Sequence, residues 1–102
     1  KHGLGAPHCS YPIFENAFRV EMGRTITEQQ EEAAQLFASF SAVAASQKEH
    51  AWFGVAYTPA ELSTPTVDNR QVCYPFYTKR LNSVMAVDMS AALILMLAGE
   101  AR

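Results

Sequence analysis

The chain has 102 residues, 49% hydrophobic and 18% charged, and its eight basic and ten acidic side chains give a formal net charge of −2. That length allows one small domain at most. The balance argues against nucleic acid as the main partner, because neutralising phosphates needs clustered Lys and Arg, and here Lys79 and Arg80 are the only adjacent basic pair.

Residues 1–10 combine two Gly, a Pro, two His and a Cys and read as an irregular entry. Phe14, Ala17, Phe18 and Met22 then recur at helical spacing, with Pro12 in the first turn, Glu15 and Arg19 as an i,i+4 pair, and Gly23 as the closing residue. A second helix is expected over residues 28–46. Thr27 and Gln30 match a capping box, and Glu28, Glu31 and Glu32 crowd the first turns, where the helix dipole favours negative charge. Its apolar stripe is Ala33, Leu36, Phe37, Phe40, Val43 and Ala44, so the two helices are expected to form a hairpin packed through aromatic side chains.

Residues 50–81 carry Pro59, Pro65 and Pro75 among many aromatic groups and read as extended, irregular chain. Within them, Thr58 and Pro59 suit the cap and first position of a short helix. The apolar run 91–98 fits a helix or a fully buried strand by periodicity alone, and falls far short of the roughly 20 residues that span a bilayer. No membrane partner is expected.

Cys9 and Cys73 are too few for a disulfide scaffold and neither belongs to a CxxC, so free thiols in a cytoplasmic setting are the default. With the histidines they show no zinc spacing, and no metal site is expected. Opening on Lys1 and stopping at Arg102 in mid-flow, the chain is expected to be an internal fragment.

Several stretches resemble the thiolase superfamily. The segment from Thr27 through Gln30 is similar to a helix that begins Ser-Arg-Glu/Asp-Glu-Gln in that family. Residues 65–70, then Pro75 and residues 79–82, look like the stretch leading to the family's Asn-Ala-Ser loop. Residues 40–45, Trp52, and Asp68, Asn69 and Arg70 together resemble the bacterial acetyl-CoA acetyltransferase and SCP-x-like branch.

The resemblance implies an α+β, mostly α segment: a helical hairpin, a long irregular stretch, and a C-terminal buried strand over residues 91–98. Residues 1–90 would be a loop-domain segment, and residues 91–102 would hold the last strand of the thiolase N-terminal half and the first residues beyond that strand. The implied parent is an acyl-CoA acyltransferase working by thiolysis or Claisen condensation through an acyl-cysteine. No catalytic residue is expected in this chain, because the nucleophilic Cys would lie upstream of it and the activating His and second Cys downstream. Coenzyme A enters as thioester substrate rather than cofactor, and a homo-oligomer of the parent is implied.

By the same resemblance Arg70 would face the nucleotide end of coenzyme A, with Asn82 and Ser83 beside pantetheine. Two positions depart from the pattern. Val84 stands where the family has its coenzyme-contacting Ser, and residues 12–14 stand where it has His-Met-Gly, leaving only the displaced His8 to imitate that His. Asp88 is expected to cap a turn. An alternative reading is a free-standing helical interaction module without activity, and a third is a thiolase-like parent that has lost activity.

Overall fold

The computed structural model describes residues 4–84, 86–97 and 99–100. The chain is α+β and mostly α: helix α1 (Pro7–Glu21), helix α2 (Ile26–Ser46), short helix α3 (Pro59–Ser63), strands β1 (Gln71–Cys73) and β2 (Tyr77–Thr78), and one 3-10 turn (Lys79–Leu81). Among the described residues no helix is long and apolar enough to cross a membrane.

α1 begins earlier than its spacing suggests, because Pro7 rather than Pro12 takes the first-turn position. Pro12 is accommodated within the helix and is buried. The C-terminus closes as a Schellman motif, with Gly23 at φ 68° donating to Val20 O and Arg24 donating to Arg19 O, both at 3.0 Å. The expected Glu15–Arg19 pair does not form. Arg19 instead donates to Asn16 and to the Arg24 carbonyl, and the one ion pair among the described residues joins Arg24 to Glu32.

α2 starts two residues before the expected helix. Its cap is Thr25, whose hydroxyl accepts from Glu28 N at 3.2 Å while the Glu28 carboxylate accepts from Thr25 N at 2.7 Å. α3 opens as expected with Thr58 as cap and Pro59 in the first turn, and Glu61 completes the same reciprocal box there. In both boxes the backbone and hydroxyl donors of the Thr hold the Glu carboxyl below its ordinary range.

The packing of α2 departs from the expected stripe. Its covered side is the one bearing Ala34 and Ala38, which cluster with Leu62 of α3, flanked by Tyr57 and Leu81. Ser41 reinforces this side by accepting from Tyr57 N at 2.9 Å. Phe14 and Phe18 of α1 and Phe37 and Phe40 of α2 are exposed, so the aromatic seam expected between the helices is absent. The small alanines win the inner face because they let α3 approach closely; a large side chain there would hold the helices apart.

The stretch read as irregular contains a hairpin. β1 and β2 pair antiparallel with Gln71 opposite Thr78 and Cys73 opposite Tyr77, and a register irregularity between them. Asn69, wholly buried, fastens this unit to α3: its Nδ2 donates to the carbonyls of Glu61, Leu62 and Thr64 at 3.0, 3.0 and 3.2 Å. Thr78 adds a 2.6 Å bond from its hydroxyl to Leu62 O.

The buried C-terminal strand is not formed. Residues 91–97 adopt neither helix nor strand, and Leu93, Ile94 and Leu95 are at least 80% exposed. An apolar strand needs ladder partners on its edges and cover on its faces, and among the described residues the two-stranded β1–β2 sheet is the only ladder. The radius of gyration is 16.4 Å, where a compact chain of this length has about 13 Å. Ala98, the last residue of the expected strand, lies outside the described residues.

Candidate ligand cleft

An open cleft of about 1000 Å³ lies between α1, α2 and the segment following β2. Tyr11 and Phe18 of α1 and Ala33, Leu36 and Phe37 of α2 make its apolar walls, and Tyr77, Arg80, Leu81, Asn82 and Ser83 form the opposite side. Residues 22–25, with Gly23 at φ 68°, connect the two helices that line it.

A chain of polar contacts crosses the cleft. Arg24 Nη2 pairs with Glu32 at 2.6 Å, and its Nη1 donates to Gln29 Oε1 at 3.1 Å. Gln29 Nε2 donates to Glu15 Oε1 at 2.6 Å, and the Tyr77 hydroxyl donates to the other Glu15 oxygen at 3.4 Å. Burial, then the negative charge of Glu15, pushes the Tyr77 phenol up to about 12. This string ties both helices to β2.

Arg80 is held differently. Its backbone N–H donates to Asn69 Oδ1 at 2.9 Å, and its guanidinium lies over the Tyr57 ring with 4.6 Å from Cζ to the centroid. Its one side-chain hydrogen bond among the described residues is a long one, 3.4 Å from Nη1 to Glu61 O.

The structure brings together two of the three binding residues expected from sequence. Asn82 and Ser83 both line the cleft, and Asn82 Nδ2 donates to Thr78 O at 2.7 Å. Arg70 does not join them: it lies outside the lining, exposed, on the segment that enters β1. His8 also lines the cleft, with its side chain exposed. Val84 is exposed just past Ser83. Asp88 makes no side-chain hydrogen bond among the described residues and borders a shallow groove with Glu49, His50 and Trp52.

Sequence reasoning missed Glu15, Gln29 and Tyr77 as site residues, because they meet only through the fold, and it placed Arg80 in a basic pair and in the stretch before Asn82 without giving it a binding role. Pairing Asn69 with Arg80 needed knowledge of the hairpin between them. Cys9 and Cys73 are free and half-buried, and neither lines the cleft. Among the described residues no cluster of three metal-ligating side chains occurs. The cleft offers apolar walls with carboxamides, hydroxyls, two guanidinium groups, two carboxylates and the His8 imidazole along its lining, a mix that can hold a ligand with an apolar stem and polar ends. The chain matches no protein-family model, no curated protein and no solved structure.

Proposed function

We propose that this chain is a segment of a thiolase-like acyl-CoA acyltransferase and contributes part of the wall that binds coenzyme A. The observation that carries the reading is the location of Asn82 and Ser83. These are the residues that the resemblance sets beside pantetheine, and both border an apolar-walled cleft of about 1000 Å³. An amide-rich, flexible stem suits a site with a few hydrogen-bonding groups on apolar walls. The acyl-transfer chemistry belongs to residues outside this chain. The exposed aromatic side chains of α1 and α2 would meet neighbouring parts of the parent or another subunit.

Nuclear magnetic resonance of the isotopically labelled chain, titrated with coenzyme A and with pantetheine, tests this. Shifts concentrated at the Asn82 side-chain amide and the Ser83 backbone amide are expected, with no turnover of acetyl-CoA. Thioester turnover by this chain, or the absence of shifts at millimolar ligand, would overturn the reading.

A second reading, a free-standing interaction module, is favoured by the same exposed stripe of Phe14, Phe18, Phe37 and Phe40. It expects coenzyme A to leave every resonance unmoved and the stripe to respond to a protein partner.

A further inference from the structure

Among the described residues, Arg80 is the arginine of the cleft that carries no carboxylate partner. The other lining arginine, Arg24, is paired with Glu32 at 2.6 Å. The two acidic residues of the lining are likewise committed, Glu32 to Arg24 and Glu15 to Gln29 and Tyr77. Glu61, a carboxylate that feels the Arg80 charge, spends one oxygen on its own helix cap, accepting from Thr58 N at 2.8 Å and from the Thr58 hydroxyl at 2.7 Å. Arg80 reaches the backbone carbonyl of Glu61 instead, at 3.4 Å.

The side chain is also held in place before any ligand arrives. The buried Asn69 carboxamide fixes the Arg80 backbone from below, and the Tyr57 ring supports the guanidinium at 4.6 Å. Tyr57 in turn is anchored to α2 through Ser41. A guanidinium presents five donors in a rigid fork, and among the described residues Arg80 uses one of them, in the long 3.4 Å bond to Glu61 O. Pre-organisation of this kind lowers the entropy lost when an anion is bound.

We infer that Arg80, positioned by Asn69 and Tyr57, is the anchor of the cleft for the phosphorylated end of a ligand whose stem lies along the apolar walls toward Asn82 and Ser83. The inference rests on the coenzyme A reading for the stem; the anion anchor itself rests on the geometry of Arg80. It transfers the cationic role expected at Arg70 to a residue that lines the cleft.

Calorimetric titration of the chain with coenzyme A, pantetheine and inorganic pyrophosphate separates the two ideas. Arg80→Gln should weaken coenzyme A about tenfold, the worth of one charge-assisted contact, and leave pantetheine unchanged. Arg80→Lys should recover part of the loss, because it restores the charge without the fork. Tyr57→Leu should weaken coenzyme A while keeping Arg80 itself, and the Arg80 Nε–H resonance of the unmodified chain should move on adding pyrophosphate, a readout that needs no variant to fold.

If coenzyme A binds and Arg80→Gln binds it equally well, the anchor is refuted and the coenzyme A reading survives. If coenzyme A and pantetheine both fail to bind while pyrophosphate still moves the Arg80 resonance, the coenzyme A reading falls and the anchor stands for a different phosphorylated ligand. If pyrophosphate also leaves Arg80 unmoved, both are overturned.

Discussion

The carboxamide of Asn69 accepts the backbone N–H of Arg80 at 2.9 Å while its amide nitrogen donates to three carbonyls at the end of α3. One wholly buried side chain thus joins two segments on either side of a hairpin. Replacing it by Ala removes all four bonds at once and leaves the Arg80 amide and the Thr64 carbonyl without their partner, while Leu62 O keeps the Thr78 hydroxyl and Glu61 O keeps Arg80 Nη1; buried groups without partners are costly. Asn69→Ala is expected to lower stability by about 3 kcal/mol, read as a fall in the urea midpoint. Asn82→Ala, which loses a single bond at a half-buried site, is expected to cost under about 1 kcal/mol. Equal midpoints for the two variants would show that Asn69 does not hold the hairpin.

The inner face of α2 makes a second prediction. Ala34 is fully covered and Ala38 nearly so, at 8% exposure. Ala38→Leu forces a larger side chain against Leu62 and is expected to cost about 1–3 kcal/mol through overpacking. Phe40→Ser, at a position 57% exposed, should change stability by less than about 1 kcal/mol and should raise solubility. Thermal unfolding of both variants checks this. A larger loss from Phe40→Ser than from Ala38→Leu would mean that the aromatic stripe is covered in solution.

That inversion shows what the sequence made legible. The helices, the Gly23 stop and the Thr58 cap could be read because they are local events: a Cβ-free residue at positive φ, and a hydroxyl ahead of a Pro at the first helical position; the equally local cap of α2 was expected at Thr27 and lies at Thr25. Which face of α2 is buried could not be read the same way. Hydrophobic spacing pointed to Phe37 and Phe40, whereas close approach of α3 selects Ala34 and Ala38, and that choice depends on a partner element distant in sequence. Asn82 and Ser83 reached the candidate site through a motif-like resemblance. Glu15, Gln29, Tyr77 and Arg80 reach it only through tertiary contacts, Glu15 and Tyr77 being 62 residues apart. The apolar run 91–97 carried a strand's composition but finds no ladder partner among the described residues.

The two capping boxes predict an acid limb in the stability curve. Hydrogen bonds from Thr25 and Thr58 hold the Glu28 and Glu61 carboxyls below their ordinary range. A depressed folded pKa means that the unfolded chain binds protons first as pH falls. The contribution is therefore complete above the ordinary Glu range and is lost as pH drops through the depressed folded values. Glu28→Gln and Glu61→Gln should flatten that limb, since the amide keeps a capping acceptor without a titrating proton. Urea unfolding over a series of acidic pH values provides the comparison; an unchanged acid limb in the double variant would exclude the boxes as its source.

At the alkaline end the relevant group is Tyr77. Burial first, and the Glu15 charge second, raise its phenol to about 12. The sign is again fixed by linkage: a raised folded pKa favours the neutral phenol in the folded state, so its contribution is complete below the unfolded value and is lost as pH rises toward about 12. Spectrophotometric titration of the chain's four tyrosines should therefore resolve a late tyrosinate step that Tyr77→Phe removes. Glu15→Gln should move the step down while leaving part of the elevation, because desolvation by the surrounding helices remains. If Glu15→Gln left the step where it was, the carboxylate would not face the phenol, and the string of contacts linking Arg24, Gln29, Glu15 and Tyr77 would be broken at its last link.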